Sequence, residues 1–254
     1  MDLTSPSLSR AQNPDYVRST SMKIRIAHAS DTHARPSIVR QVAGMSADLL
    51  TLTGDIFGNK GWVPNYGIYG CDKVISPAHE RKYQRNWFRD HAKKWAGDLN
   101  GCPVLYIGGN HDFYSPTEFL RHYGVTVYEI TDDQPMVEVL GIRFAGFRQI
   151  NPIVQGDKSS HHWAGETDDL MPHIERAFAC DPQVLITHGP PRGILDSEPG
   201  YGMQPLADAL FTREHRITHH FFGHSHPDGG QQAEERGIKF YNGAGHCLLH
   251  EVDL

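Results

Sequence analysis

The chain has 254 residues, 39% of them hydrophobic and 21% charged, which bounds it to a globular protein with length for one large core or two small ones. Its formal charge of −6 argues against general affinity for nucleic acid or an anionic membrane surface. No apolar run approaches the ~18 residues of a membrane span, and the first residues lack a signal peptide's basic start and apolar core. The four cysteines (Cys71, Cys102, Cys180, Cys247) form no CxxC pair, so the expectation is a cytoplasmic protein whose thiols stay reduced and merely pack.

Residues 1–21 are polar, carry Pro6 and Pro14 and show no periodicity. They are expected to form a poorly ordered tail, with 22–254 as a single domain; Met22 is a candidate natural start. Lys23–Ala29 reads as a strand ending in Ser30-Asp31-Thr32-His33. In an extended chain, side chains two apart share a face, so Asp31 and His33 can converge. A short helix over Ile38–Met45 precedes a second buried strand, Asp48–Thr53, which ends in Gly54-Asp55. Residues 56–78 are irregular and rich in Gly and aromatics (Trp62, Tyr66, Tyr69), a length of loop that makes 57–78 a candidate substrate wall.

The spacing predicts a helix over 79–97, with Tyr83, Trp87, His91 and Trp95 on one face. Arg81, Lys82, Arg85, Arg89, Lys93 and Lys94 crowd the rest of it. Two readings stay open: a surface helix with an aromatic packing stripe, or a basic face that overlooks the site and attracts a phosphate. The apolar run Val104–Ile107 is a third strand, and two glycines, Gly108 and Gly109, let the backbone turn into Asn110-His111-Asp112.

A short helix follows at Pro116–Tyr123, then strands at Val125–Ile130, Met136–Leu140 and Ile142–Phe147. Residues 148–165 are expected to be a loop, in which the adjacent His161 and His162 make a poor chelate and are expected to be exposed. Thr167–Ala179 reads as a helix. The strand Gln183–Thr187 delivers His188, and Gln204–Phe211 is helical. The strand Ile217–Phe222 delivers Gly223-His224-Ser225-His226. Residues 238–241 and 247–252 read as a closing hairpin through Asn242-Gly243-Ala244-Gly245. Strands that alternate with helices, joined by strand pairs, make the class α/β with two packed sheets.

Set side by side, the strand ends carry Asp31, His33, Asp55, Asn110, His188, His224 and His226. These are seven oxygen and nitrogen donors with no thiolate, a set that suits Mn, Fe or Zn. Seven ligands exceed one tetrahedral site, so two metals are the economical reading, with Asp55 able to bridge them. A water between two divalent ions loses its proton near neutral pH and becomes a nucleophile for a phosphoryl group. His111, beside a ligand, can donate a hydrogen bond or proton to the leaving oxygen, and Asp112 can orient that imidazole.

The order Asp-x-His, Gly-Asp, Gly-Asn-His-Asp, His and Gly-His-x-His, from about Ile26 to His226, closely resembles the calcineurin-like metallophosphoesterase superfamily. The resemblance implies a two-sheet β-sandwich flanked by helices, with a dinuclear site at the strand ends. It implies that Asp31, His33 and His226 hold one metal, that Asn110, His188 and His224 hold the other, and that Asp55 bridges. His111 matches the histidine that assists catalysis without binding metal.

Within the superfamily, Thr187-His188-Gly189-Pro190-Pro191-Arg192-Gly193-Ile194-Leu195-Asp196 looks like the metallophosphoesterase-domain proteins related to class III cyclic nucleotide phosphodiesterases. That implies hydrolysis of a small or nucleotide-like phosphodiester. The second block, Gly54-Asp55-Ile56-Phe57-Gly58-Asn59-Lys60, departs from the Gly-Asp-x-Val-Asp-Arg-Gly of protein Ser/Thr phosphatases. Two alternatives stay open: a phosphomonoesterase with the same site, and a catalytically inactive interaction scaffold. The expected partner is a small phosphoester, with no stable nucleic-acid complex and no membrane; the motifs carry no statement on oligomeric state.

Overall fold

A computed structural model of the chain describes residues 23–60, 76–155, 158–160, 163–197 and 200–253. The expected tail, the tip of the 57–78 loop with Trp62, Tyr66 and Tyr69, and His161 and His162 all lie outside the described residues.

Two mixed sheets stack face to face between layers of helix. The first holds β1 (Lys23–Ala29), β2 (Leu49–Leu52), β3 (Val104–Tyr106), β4 (Val127–Glu129) and β13 (Cys247–Asp253), in the order β13-β1-β2-β3-β4. Its strands β1 to β4 are parallel, and β13 runs antiparallel to β1 at the edge. The second holds β5 (Met136–Val139), β6 (Ile142–Phe147), β9 (Val184–Thr187), β10 (His219–Phe222), β11 (Gln232–Glu235) and β12 (Ile238–Asn242), in the order β11-β12-β10-β9-β6-β5. The parallel inner strands read as unbroken buried runs, such as Leu49–Leu52 and Val184–Thr187, because helices cover their outer faces.

Alternation along β1 divides the core. Ile24 and Ile26 join Leu105, Phe144, Ile186 and Phe221 between the sheets. Ala27 and Ala29 face outward, under α1 (Pro36–Arg40, prolonged by a 3-10 turn to Gly44), α2 (Pro77–Leu99) and α3 (Thr117–His122). On the far side, α4 (Met171–Ala179) and α5 (Gln204–Thr212) pack Ile174, Ala177, Leu206 and Leu210 on Leu185, Phe222 and Phe240. Buried His28 ties the sheets together: Nε2 donates to the Phe222 carbonyl at 2.9 Å, and Nδ1 meets Thr51 Oγ1 at 3.0 Å.

Three expectations are corrected, and one strand is added. Residues 238–242 and 247–253 are not a hairpin; β12 pairs in parallel with β10 in one sheet and β13 antiparallel with β1 in the other, so Gly243–His246 crosses between sheets. The hairpin partner of β12 is β11, joined through Arg236 and Gly237, both with positive φ. Its polar sequence, Gln-Ala-Glu-Glu, is that of an exposed edge strand and gives no apolar signal. In the 148–165 stretch, β7 (Ile153–Gln155) and β8 (Lys158–Ser160) pair as a ribbon instead of forming a plain loop.

The third correction concerns α2. Its buried stripe is Glu80, Gln84, Phe88, Ala92, Trp95 and Leu99, while Tyr83 is exposed and Trp87 and His91 are half-buried. A spacing of four advances ~40° past a full turn at each step, so the aromatic series spirals off the buried face.

Candidate functional site

Five parallel strands end at one edge of the sandwich. β1, β2 and β3 are neighbours in one sheet, and β9 and β10 are neighbours in the other. The segments that follow them bring Asp31, His33, Asp55, Asn110, His188, His224 and His226 together, in the place where α/β sheets bind ligands. Three overlapping groups have ligand atoms within 4.8 Å of one another: Asp31, His33 and His226; His33, Asp55 and His111; Asp55, His188 and His224.

The backbone reaches this arrangement through left-handed conformations at Asp31 (φ 51°), His33 (φ 41°), Asp55 (φ 53°) and His224 (φ 68°). Each costs on the order of 1–3 kcal/mol for a residue with a side chain. Asp31 and His33 therefore converge through a tight turn and not, as expected, through an extended strand. Cross-strand bonds hold the turn: Asp31 N donates to the Gly54 carbonyl and His33 N to the Asp55 carbonyl, each at 2.9 Å.

Both carboxylates divide their oxygens. Asp55 Oδ1 accepts the His111 N–H at 2.7 Å, while Oδ2 lies 3.5 Å from His188 Nε2 and 3.9 Å from His111 Nε2. Asp31 Oδ2 accepts the His224 N–H at 2.8 Å, while Oδ1 lies 3.2 Å from His226 Nε2 and 3.9 Å from His33 Nε2. One oxygen of each secures a loop and the other is offered to the cluster.

The donor set fits cations. His188 Nδ1 lies 2.7 Å from the Thr53 carbonyl, which can only accept, so the proton sits on Nδ1. The lone pair of a neutral His188 then points from Nε2 toward Asn110 Oδ1 at 2.8 Å and Asp55 Oδ2, oxygens that repel it unless a cation or proton lies among them. In the bare chain the proton fills that role: burial disfavours the imidazolium, but Asp55 and Asp31 outweigh it and lift His188 to about 9. Burial and like charge depress His33 and His224 to about 3, leaving neutral imidazoles suited to ligation. Burial opposes ionisation of Asp55, yet His188 and His111 hold its carboxyl well below the usual range.

Asp112 is not the group that orients His111. Its Oδ1 accepts from Phe57 N, and its Oδ2 accepts from Gly109 N and the Tyr106 hydroxyl, so it ties the loop to β3. Burial, then Asp55, raises its pKa to about 6. The His111 ring instead meets Asn59 Oδ1 at 2.5 Å from Nδ1 and packs on Trp163, with centroids 4.2 Å apart.

Sequence reasoning also passed over Tyr201, stacked on His224 at 4.3 Å, and Arg148, whose guanidinium donates to the carbonyls of Gly109 and Asp112. A lone aromatic in a loop and a lone arginine at a strand end carry no pattern. The six basic residues of α2 are all exposed.

Fold and site together define a hydrolase frame with a metal-binding cluster where strands of both sheets end. The chain belongs to the calcineurin-like phosphoesterase family, whose model matches residues 24–228, and is a metal-dependent phosphoesterase. Among solved structures it is similar to TT1561 of Thermus thermophilus, at 12% identity and a TM-score of 0.55 over 91% of this chain and 99% of that one. It is also similar to a dimetal phosphatase from Danio rerio, at 12% identity and a TM-score of 0.52 over 91% and 92% of the two chains. At that identity the likeness speaks for the fold. No curated protein matches the sequence. Among the described residues no helix is long and apolar enough to cross a membrane.

Proposed function

We propose that the chain hydrolyses a small phosphodiester, nucleotide-like substrates included, with two ions of Mn, Fe or Zn. Asp31, His33 and His226 would hold one ion, Asn110, His188 and His224 the other, and Asp55 would stand between. What such ions supply when bound is an acidified water and positive charge against the phosphoryl oxygens. The chain's own residues do the rest. Asp55 and Asp31 fix the ligand loops through their second oxygens, and Thr53 sets the His188 tautomer. His111 holds or releases a proton at Nε2, next to the leaving oxygen.

A diester is favoured over a monoester because two arginines beside the candidate ligand loops turn Nη2 to backbone carbonyls. Arg35 donates to the carbonyls of Thr32 and Asp31, and Arg148 to those of Gly109 and Asp112. Both brace ligand loops, whereas a doubly charged monoester asks for additional cationic donors at its oxygens. Turnover of bis-p-nitrophenyl phosphate and p-nitrophenyl phosphate on one Mn²⁺-supplied preparation tests the proposal. Faster diester hydrolysis is expected; a preference for the monoester would overturn it, and no turnover of either with any metal would return the chain to the class of interaction scaffolds.

A further inference from the structure

Helix α2 buries two polar residues one turn apart, Glu80 and Gln84, at the head of a stripe that is otherwise Phe88, Ala92, Trp95 and Leu99. A carboxylate with no exposed surface is costly unless it is bonded, so its partners indicate what holds it there. Glu80 Oε2 accepts from Lys60 N at 2.8 Å and from Asn59 Nδ2 at 3.3 Å. Glu80 belongs to none of the candidate ligand groups.

The chemistry of these contacts leaves little freedom. Oε2 faces the Asn59 amide as an acceptor, so the NH₂ group must turn toward it. Asn59 Oδ1 then points the other way, to His111 Nδ1 at 2.5 Å. An amide oxygen only accepts, so a proton is committed to Nδ1 and the exchangeable position is Nε2. Nε2 is the ring atom that faces Asp55 Oδ2, at 3.9 Å. Gln84 fixes the backbone of the same residue: its Nε2 donates to the His111 carbonyl at 2.6 Å, and its Oε1 accepts the Phe113 N–H at 2.8 Å. Trp163 covers one side of the ring, and His33 meets it edge-on with centroids 5.0 Å apart.

We infer that Glu80 and Asn59 are positioning residues for the reaction: a carboxylate–amide–imidazole relay, anchored in α2, sets the tautomer and direction of His111. The inference rests on the reading of His111 as the proton-handling group. It gives α2 a part in the site through its buried face. The signal is two buried polar residues four apart on a helix, together with an asparagine four residues after Asp55.

Charge arrangement allows the relay to be broken and rebuilt. Asn59→Asp sets two carboxylates against each other. Adding Glu80→Gln supplies an amide that donates to the new carboxylate, which still accepts from Nδ1. On Mn²⁺-loaded protein with bis-p-nitrophenyl phosphate, Asn59→Asp is expected to lower kcat roughly 10–100-fold, with KM and metal content unchanged. The double substitution is expected to recover most of that loss. In zinc-loaded wild type without substrate, ¹⁵N shifts of the His111 ring are expected to report a protonated Nδ1.

A double variant no better than Asn59→Asp, or a wild-type ring protonated at Nε2 alone, overturns the relay. The ring measurement needs no variant and no turnover. If neither ester is hydrolysed while Nδ1 carries the proton, the functional reading fails, the catalytic part of the inference falls with it, and only the hydrogen-bonded order of Glu80, Asn59 and His111 stands.

Discussion

Gly109 and Asp55 lie backbone against carboxylate. A Cβ on Gly109 would sit 2.8 Å from Asp55 Cγ and closer still to Oδ1 and to the Asp55 nitrogen. Neither Gly108 nor Gly109 has a positive φ, so the sharp turn expected of this pair is not what requires them. Close approach is the reason: Gly108 admits the Arg148 guanidinium and Gly109 admits Asp55.

Gly109→Ala should therefore displace the residue proposed to stand between the two ions. Overpacking of this kind costs about 1–3 kcal/mol. The expected result is a lower Tm and, in elemental analysis, less than one metal per chain, with hydrolysis lost alongside. A variant that keeps both its metal and its Tm would show that the two loops separate easily and that Asp55 does not depend on this contact.

Ligand and proton-handling roles separate by which property is lost. His188→Ala removes the imidazole that faces Asn110 and Asp55, and it should abolish diester hydrolysis together with bound metal. His111→Ala should keep the metals and lose rate, roughly 10²–10⁴-fold. Elemental analysis and kcat on the same preparations decide the matter. A metal-depleted His111→Ala protein would move His111 into the ligand set, where its 3.9 Å separation from Asp55 Oδ2 would allow it to serve.

Among the basic residues of α2, Arg81 reaches the edge of the site, donating from Nε to the Phe113 carbonyl at 3.1 Å, whereas Arg89 lies further along the helix. Arg89 is exposed, with Nε 3.0 Å from Asp90 and Nη1 3.4 Å from Asn86, and an exposed charge acts weakly beyond a Debye length of ~8 Å at physiological salt. Arg89→Glu should leave KM for bis-p-nitrophenyl phosphate within about two-fold of wild type. A KM raised ten-fold would restore the reading in which this face attracts the substrate.

The strand-end cluster of candidate ligands was legible because each polar group follows an apolar run of a parallel strand. That pattern survives in sequence whatever the backbone does next, so Asp31 and His33 were found although their convergence comes through left-handed turns. What was not legible depends on contacts between distant segments. Glu80 and Gln84 look like ordinary helix surface until Asn59, His111 and Phe113 are packed beside them. Asn242–Gly245 has the composition of a hairpin turn. Only the pairing of β12 with β10 and of β13 with β1 shows that it crosses between sheets. Asp112 is adjacent to His111 in sequence, but the turn sends its carboxylate toward Tyr106 instead.

Buried histidines outside the site give the fold an acid limit. His220 has no exposed surface; its Nε2 donates to Thr187 Oγ1 at 2.7 Å, since that hydroxyl gives its own proton to the Gly189 carbonyl. Nδ1 is buried with no hydrogen-bond partner among the described residues, so a second proton there would go unsolvated. Burial, with His28 nearby, accordingly depresses His220 to about 3 from its ordinary 6.5. The unfolded chain binds the proton first, so stability is intact above pH 6.5 and falls as pH drops from there toward 3. By pH 4.5 the loss from this one group is about 2–3 kcal/mol. Protonation of the candidate ligands also weakens the protein in acid, so the comparison must be internal. His220→Leu should be less stable than wild type at pH 7 through the lost Thr187 bond, and the gap should narrow or reverse by pH 5 in urea denaturation. Curves for the two proteins that stay parallel between pH 7 and pH 5 would mean that His220 is charged in the fold, with a counter-charge that the described residues do not supply.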